Sequence, residues 1–329
     1  MDPLAQLLPG VPLVESPLFP TLVDRVGWND QEREIARQLH ERGYAVLDFP
    51  DDQLDARIAR IKAALAPRFG LPVHGEADPQ VVSELADARV QDAWKFDEDV
   101  KALAINAQVL DLLSRLWGRQ AHAFQTLNFP VGTQQHLHSD SVHFSSQPER
   151  FMCGVWIALE DLHPDSGVLE YLPGSHRWPI LSNAMVGRRA EANRALPSAQ
   201  TPYEPVWRAM VEQSGIAKET FLARKGQALI WAANLLHGGG PRSDRSHTRW
   251  SQVTHYYFDD CLYYTPAFSE EVLGKLELRQ LRDIATGEAL QNSYMGEAVA
   301  RPTPKAQAKK KKRFGKVLKA VRKHFAKSS

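Results

Sequence analysis

From residue 120 onward the chain breaks into short runs rich in β-branched and aromatic residues: AHAFQTLNF (121–129), FMCGVWIAL (151–159), GVLEYL (167–172), QALIWAA (227–233) and RWSQVTHYYF (249–258), divided by Pro, Gly, Asp and Ser. Runs of this length and punctuation are strands of a sandwich or barrel. Ahead of them the period changes. DQEREIARQLHERG (30–43), closed by Gly43, LDARIARIKAAL (54–65) and DVKALAINAQVLDLLSRLWG (99–118) carry helical apolar spacing, YAVLDF (44–49) reads as a strand, and the polar stretch between the second and third helices has no assignment. Helices gathered before many short strands predict a mainly β fold with flanking helices, a jelly roll with a helical buttress. The expected organisation is one domain over 1–300, its core at about 120–260, with residues 183–222 inserted between the halves of the roll. A chain of 329 residues that is 43% hydrophobic supports one such core.

Within the strand-rich half, QQHLHSDSVHF (134–144) places His138 and Asp140 two residues apart. If the segment is a strand, both side chains leave on one face. An imidazole beside a carboxylate is two thirds of a facial triad that holds Fe(II) and leaves three coordination positions open. His237, ninety-seven residues after Asp140 at the end of LIWAANLLHGGG, supplies the third ligand. Against this stands chance, since twelve histidines in 329 residues produce an H-x-D without any metal.

The order of motifs over roughly 120–260 decides between the two. HSDSVHF, WIALED, SGVLEYLPGSH, the distal His237 and the arginine beyond it occur together, and in this order and spacing the chain resembles the phytanoyl-CoA dioxygenase family of Fe(II)- and 2-oxoglutarate-dependent oxygenases. The resemblance implies a double-stranded β-helix of cupin-like type, O2 as oxidant, decarboxylation of 2-oxoglutarate to succinate and CO2, and hydroxylation of an unactivated C–H bond, with ascorbate as an in vitro reductant. It implies His138, Asp140 and His237 as iron ligands and Arg249 as the bidentate grip on the distal carboxylate of 2-oxoglutarate. Arg249 lies twelve residues after His237 where the family more often has eleven, which leaves Arg245 as an alternative. Trp156 matches an aromatic position near the cosubstrate, with a core tryptophan as the other reading. Gly239 replaces a serine that touches 2-oxoglutarate in some relatives. Because Asp140 is present, no halide position is vacated and hydroxylation is the default, although desaturation, ring formation and epoxidation use the same ligands. His176 is expected to be a turn residue and no ligand, while His136, His143, Gln134, Gln135 and Asn128 are readable as groups around the site or as ordinary structural residues. The non-enzymatic alternative is a jelly-roll binding or sensing protein that keeps the ligands and turns over poorly.

The near-zero net charge of +1 hides an asymmetry. Twelve of the 40 Lys and Arg and none of the 39 Asp and Glu fall in residues 301–329, so residues 1–300 carry 28 basic against 39 acidic side chains. In RFGKVLKAVRKHFAKSS, Phe314, Val317, Leu318, Val321 and Phe325 form a helical apolar stripe on a basic background, the pattern of a helix lying on an anionic membrane surface, with Phe314, Leu318 and Phe325 as contacts. That tail favours a lipid-linked substrate, such as a lipopolysaccharide sugar, over a free small molecule. Docking on the acidic body and a nucleic-acid-binding tail are the rivals, the latter without an aromatic stacking platform. Two isolated cysteines, Cys153 and Cys261, form no disulfide framework, the first twenty residues lack a basic, uninterrupted apolar leader, and no apolar run is long enough to span a bilayer. The expected setting is cytoplasmic, with a peripheral membrane contact.

Overall fold

A computed structural model describes residues 2–299; the tail stripe with Phe314, Leu318 and Phe325 lies outside them. After α1 (Phe19–Leu22), α2 (Asp30–Arg42) opens in a capping box, the Asn29 side chain accepting from the Glu32 amide and the Glu32 carboxylate accepting from the Asn29 amide. It closes at Gly43, whose φ of 83° is the left-handed turn that feeds β1 (Tyr44–Asp48). Next come α3 (Leu54–Leu65), α4 (Pro79–Glu84) and β2 (Val90–Gln91). The single helix expected over 99–118 is two, α5 (Glu98–Ala104) and α6 (Ala107–Trp117). Asn106 breaks it, because its side chain accepts from the amides of Gln108 and Val109 and so starts a new helix.

The strand-rich half supplies β3 (Ala121–Phe129), β4 (Ser145–Gln147), β5 (Met152–Ala158), β6 (Leu169–Tyr171), the inserted α7 (Ala190–Asn193) and α8 (Glu204–Ser214), β7 (Glu219–Phe221), β8 (Gln227–Ala232), β9 (His237–Gly239), β10 (Ser251–Phe258) and β11 (Leu262–Tyr264). The large sheet runs β1-β8-β5-β10-β3-β2, the small one β7-β6-β9, and β4 pairs with β11. The fold is a jelly roll. Its large sheet extends past the expected core, since β1 and β2 from the N-terminal half form both edges.

The alternation of β10 sorts its neighbours. Gln252 donates to the Val100 carbonyl at 3.1 Å and Tyr256 to that of Ala104 at 2.9 Å, so even positions face α5. Val253 faces the other way, into a core shared by Phe129, Trp156 and Leu229 of the large sheet and Tyr171 and Phe221 of the small one. The helical layer covers the outer face with Ile58, Leu103, Leu113 and Trp117, each worth roughly 1.5–3 kcal/mol when fully buried. Rigidity on that side leaves the space between the sheets free to hold a site.

Candidate metal centre

His138 and Asp140 do come together with His237, by a route other than the expected strand. Residues 134–144 are not a strand; His138 makes a lone antiparallel bridge to His237, and Asp140 begins a 3-10 turn, Asp140–Val142. Ser139 causes the change, its hydroxyl accepting from the Ser141 amide at 3.2 Å. The run ending at His237 is likewise broken after Ala232, and His237 opens β9 in the small sheet. His138 and His237 exchange both backbone hydrogen bonds, at 2.9 and 3.0 Å. The potential ligand atoms of His138, Asp140 and His237 lie within 4.8 Å of one another.

The protonation pattern suits a metal. His138 Nδ1 bonds the His136 carbonyl at 2.8 Å and His237 Nδ1 the Leu235 carbonyl at 3.0 Å; a carbonyl only accepts, so each Nδ1 donates and Nε2 is the nitrogen left for an ion. Burial pushes His138 down to about 4, keeping it neutral. Burial opposes ionisation of Asp140, yet His237 and His255 hold its carboxyl below the usual range. Two imidazoles and one carboxylate fit Fe(II).

These residues open into a cavity of about 390 Å³ that Arg249 and Trp156 also line. Arg249 is 2% exposed, just ahead of β10 rather than within it, and its Nε and Nη1 find no partner. Burial pushes its guanidinium down to about 10. An unpaired buried cation is costly, and a carboxylate from the cavity relieves it. Arg245, the alternative, is exposed and outside the cavity wall. Trp156 combines its two readings: it packs edge-on to Phe221 at 5.8 Å between centroids, lies 5.6 Å from the Arg249 guanidinium, and leaves its buried N–H unpartnered.

The family model for phytanoyl-CoA dioxygenase matches residues 39–249. The chain belongs to the phytanoyl-CoA dioxygenase family. Among curated relatives, peroxisomal phytanoyl-CoA dioxygenase of Rattus norvegicus is 24% identical over 55% of this chain and 52% of its own length, so the match spans about half of that enzyme. Ectoine dioxygenase of Nocardia farcinica is 23% identical over 66% of this chain and 74% of its own. The fold matches the non-heme alpha ketoglutarate dependent carbocyclase SnoK from nogalamycin biosynthesis with a TM-score of 0.53 at 16% identity, covering 81% of this chain and 95% of that one. It also matches EctD from S. alaskensis, solved with 2-oxoglutarate and 5-hydroxyectoine, with a TM-score of 0.52 at 18% identity, covering 76% and 84%.

Sequence reasoning missed a second layer around this family's metal centre. Trp231 donates its indole N–H to Asp140 Oδ2 at 2.9 Å, and His255 Nε2 stands 3.7 Å from the same oxygen. Both lie in one cross-strand row, Trp231–Gly154–His255. A Cβ at Gly154 would lie 2.1 Å from the Trp231 ring, so the missing side chain is the space that the indole occupies. The register of β3 and β10 slips between His255 and Tyr256, turning both Phe124 and Gln125 toward His255; the Gln125 amide oxygen meets His255 Nδ1 at 3.1 Å. Ser139 donates to Asn234 Oδ1, Asn234 donates to the Trp178 carbonyl, and Ser175 accepts from the Leu236 amide, tying the two ligand segments to the turn that carries His176.

Among the other residues singled out, His176 is buried against Gly43 and is no ligand. His143 and Gln135 line the cavity, whereas His136 and Gln134 line its neighbour. Asn128 faces away and donates to Gln252. At Gly239 a Cβ would press on the Gln134 amide nitrogen at 2.8 Å, which accounts for the absent serine. Cys153 and Cys261 are free and buried. No helix among the described residues is long and apolar enough to cross a membrane.

Proposed function

We propose that this chain is an Fe(II)- and 2-oxoglutarate-dependent hydroxylase of a small polar molecule. The observation that carries the reading is the convergence on one cavity of the His138, Asp140 and His237 donors with Arg249, a buried guanidinium lacking partners on two of its nitrogens. His138 and His237 present Nε2, Asp140 supplies the charge, and Arg249 orients a carboxylate of the cosubstrate beside Trp156. When bound, Fe(II) and 2-oxoglutarate supply oxidative chemistry in which the cosubstrate loses CO2 to become succinate and one oxygen atom of O2 enters a C–H bond. The relatives are named for phytanoyl-CoA and for ectoine, so family membership leaves the substrate open. A cavity of about 390 Å³ that must also admit the cosubstrate favours a compact molecule. A lipid-linked substrate met at an anionic membrane, or an amphiphilic lipopolysaccharide sugar, is the second reading, favoured by the apolar residues of 314–325 on their basic background.

The test separates metal from cosubstrate. His138→Ala should lose bound iron and abolish succinate formation. Arg249→Leu should keep iron and raise the 2-oxoglutarate requirement tenfold or more, as expected from losing a charge-assisted contact of roughly 1.5–3 kcal/mol. Normal iron content in the first variant, or an unchanged 2-oxoglutarate requirement in the second, sinks the assignment. Anionic-vesicle co-sedimentation of the full chain, lost on truncation at residue 300, is the outcome that favours the membrane reading.

A further inference from the structure

The cavity is nearly free of acid in a body that is otherwise acidic. Among the described residues Asp140 is the one carboxylate lining it, against Arg89, Arg249 and four histidines, although residues 1–300 hold 39 acidic and 28 basic side chains. In the function proposed above, Asp140 and Arg249 belong to the metal and to 2-oxoglutarate. A divalent ion, a dianionic cosubstrate, Asp140 and Arg249 together come to no net charge. Arg89 is then the uncompensated charge of the cavity.

Its surroundings are those of an open grip. Several arginines on the same body are paired, Arg57 and Arg60 with Asp99, Arg42 with Glu219 and Arg194 with Glu277, whereas Arg89, like Arg208 and Arg224, is exposed and unpaired among the described residues, and of these three it alone lines the cavity. The Arg89 guanidinium has no ion pair or hydrogen bond among the described residues. It sits immediately before edge strand β2, and Gln91, two residues on, lines the same wall with its amide equally unengaged. The inserted segment faces the cavity with Ser198 and Gln200, and Leu127, Phe129 and Val253 form an apolar floor. Such a wall accepts a short carbon skeleton with a negative end and opposes a positive one.

We infer that the substrate is a compact molecule bearing a carboxylate or phosphate, held by Arg89 with Gln91 beside it, and that this anchor aims the reacting carbon at the metal. The inference rests on the Fe(II)/2-oxoglutarate reading, and its test is built to fail separately. Full-length protein loaded with Fe(II) and saturating 2-oxoglutarate, without oxygen, is titrated in a calorimeter with glycerol 3-phosphate, glycerate, glycerol and choline. At least one of the two anions should bind tenfold or more tightly than glycerol, and the stronger of them identifies the group. Arg89→Gln should erase that advantage, whereas Arg224→Gln, an exposed arginine away from the cavity, should keep it. Anions binding no better than glycerol, choline binding as well as the anions, or an advantage that survives Arg89→Gln overturns the inference. Iron and 2-oxoglutarate binding are measured on the same samples. Their loss beside an Arg89-dependent anion preference refutes the oxygenase reading alone, and their presence without that preference refutes the anchor alone.

Discussion

The two faces of β10 are made from one strand and solve opposite problems. On the outer face the buried donors of Gln252 and Tyr256 end on carbonyls of α5, so polar side chains there fasten a sheet to a helix. Toward the cavity, Val253 and His255 follow Arg249, and the guanidinium is left without partners on Nε and Nη1. A buried donor with a partner holds the fold; a buried donor without one costs stability and waits for a ligand.

The comparison is tested most severely at Trp231, which touches Asp140 without being a ligand. Trp231→Phe keeps the ring over Gly154 and removes the N–H, and metal affinity should fall roughly 10- to 100-fold with little change in melting temperature. Unchanged iron affinity, measured by chelator competition, would remove Trp231 from the site. A smaller effect, of opposite kind, is expected outside: Tyr256→Phe leaves the Ala104 carbonyl unpaired and should cost about 1 kcal/mol of stability while iron and 2-oxoglutarate affinities stay put. If Tyr256→Phe weakens 2-oxoglutarate binding instead, the division between faces is wrong.

A further effect, confined to one range of pH, lies in the same sheet. His122 of β3 is held between Asp259 and Asp283 at 2.7 and 2.9 Å. Burial works against its charge, but the two carboxylates prevail and raise it to about 9. A raised value stabilises the fold fully below the unfolded value of ~6.5 and is lost as pH climbs through about 9. With Asp259 largely exposed, the contribution is about 1 kcal/mol after screening. His122→Gln should therefore flatten the fall in melting temperature between pH 6 and 9.5; an identical slope in both proteins would show that the ion pairs contribute nothing.

What the sequence carried and what it hid follow one distinction. The family resemblance, carried by motifs in a fixed order, named His138, Asp140, His237, Arg249 and Trp156 together, and all five line one cavity. Trp231, Gly154, His255 and Gln125 are neighbours only through cross-strand register and a one-residue slip, and no spacing encodes those. Helix 54–65 and strand 121–129 are found where periodicity put them. The failures are local polar chemistry: alternation in QHLHSDSVHF imitates a strand until Ser139 turns the backbone, and Asn106 was a legible helix start, with an apolar run after it, inside what looked like one helix.

The paired backbone bonds between His138 and His237 bear on how an ion enters. They join two donors ninety-nine residues apart in the chain, so the entropy of bringing those donors together is met by folding and is not left for the metal. In a zinc finger the ion organises the polypeptide. Here the backbone pairing itself sets the two donor segments side by side, so a bound ion adds stability by mass action, growing with the logarithm of its concentration over its dissociation constant.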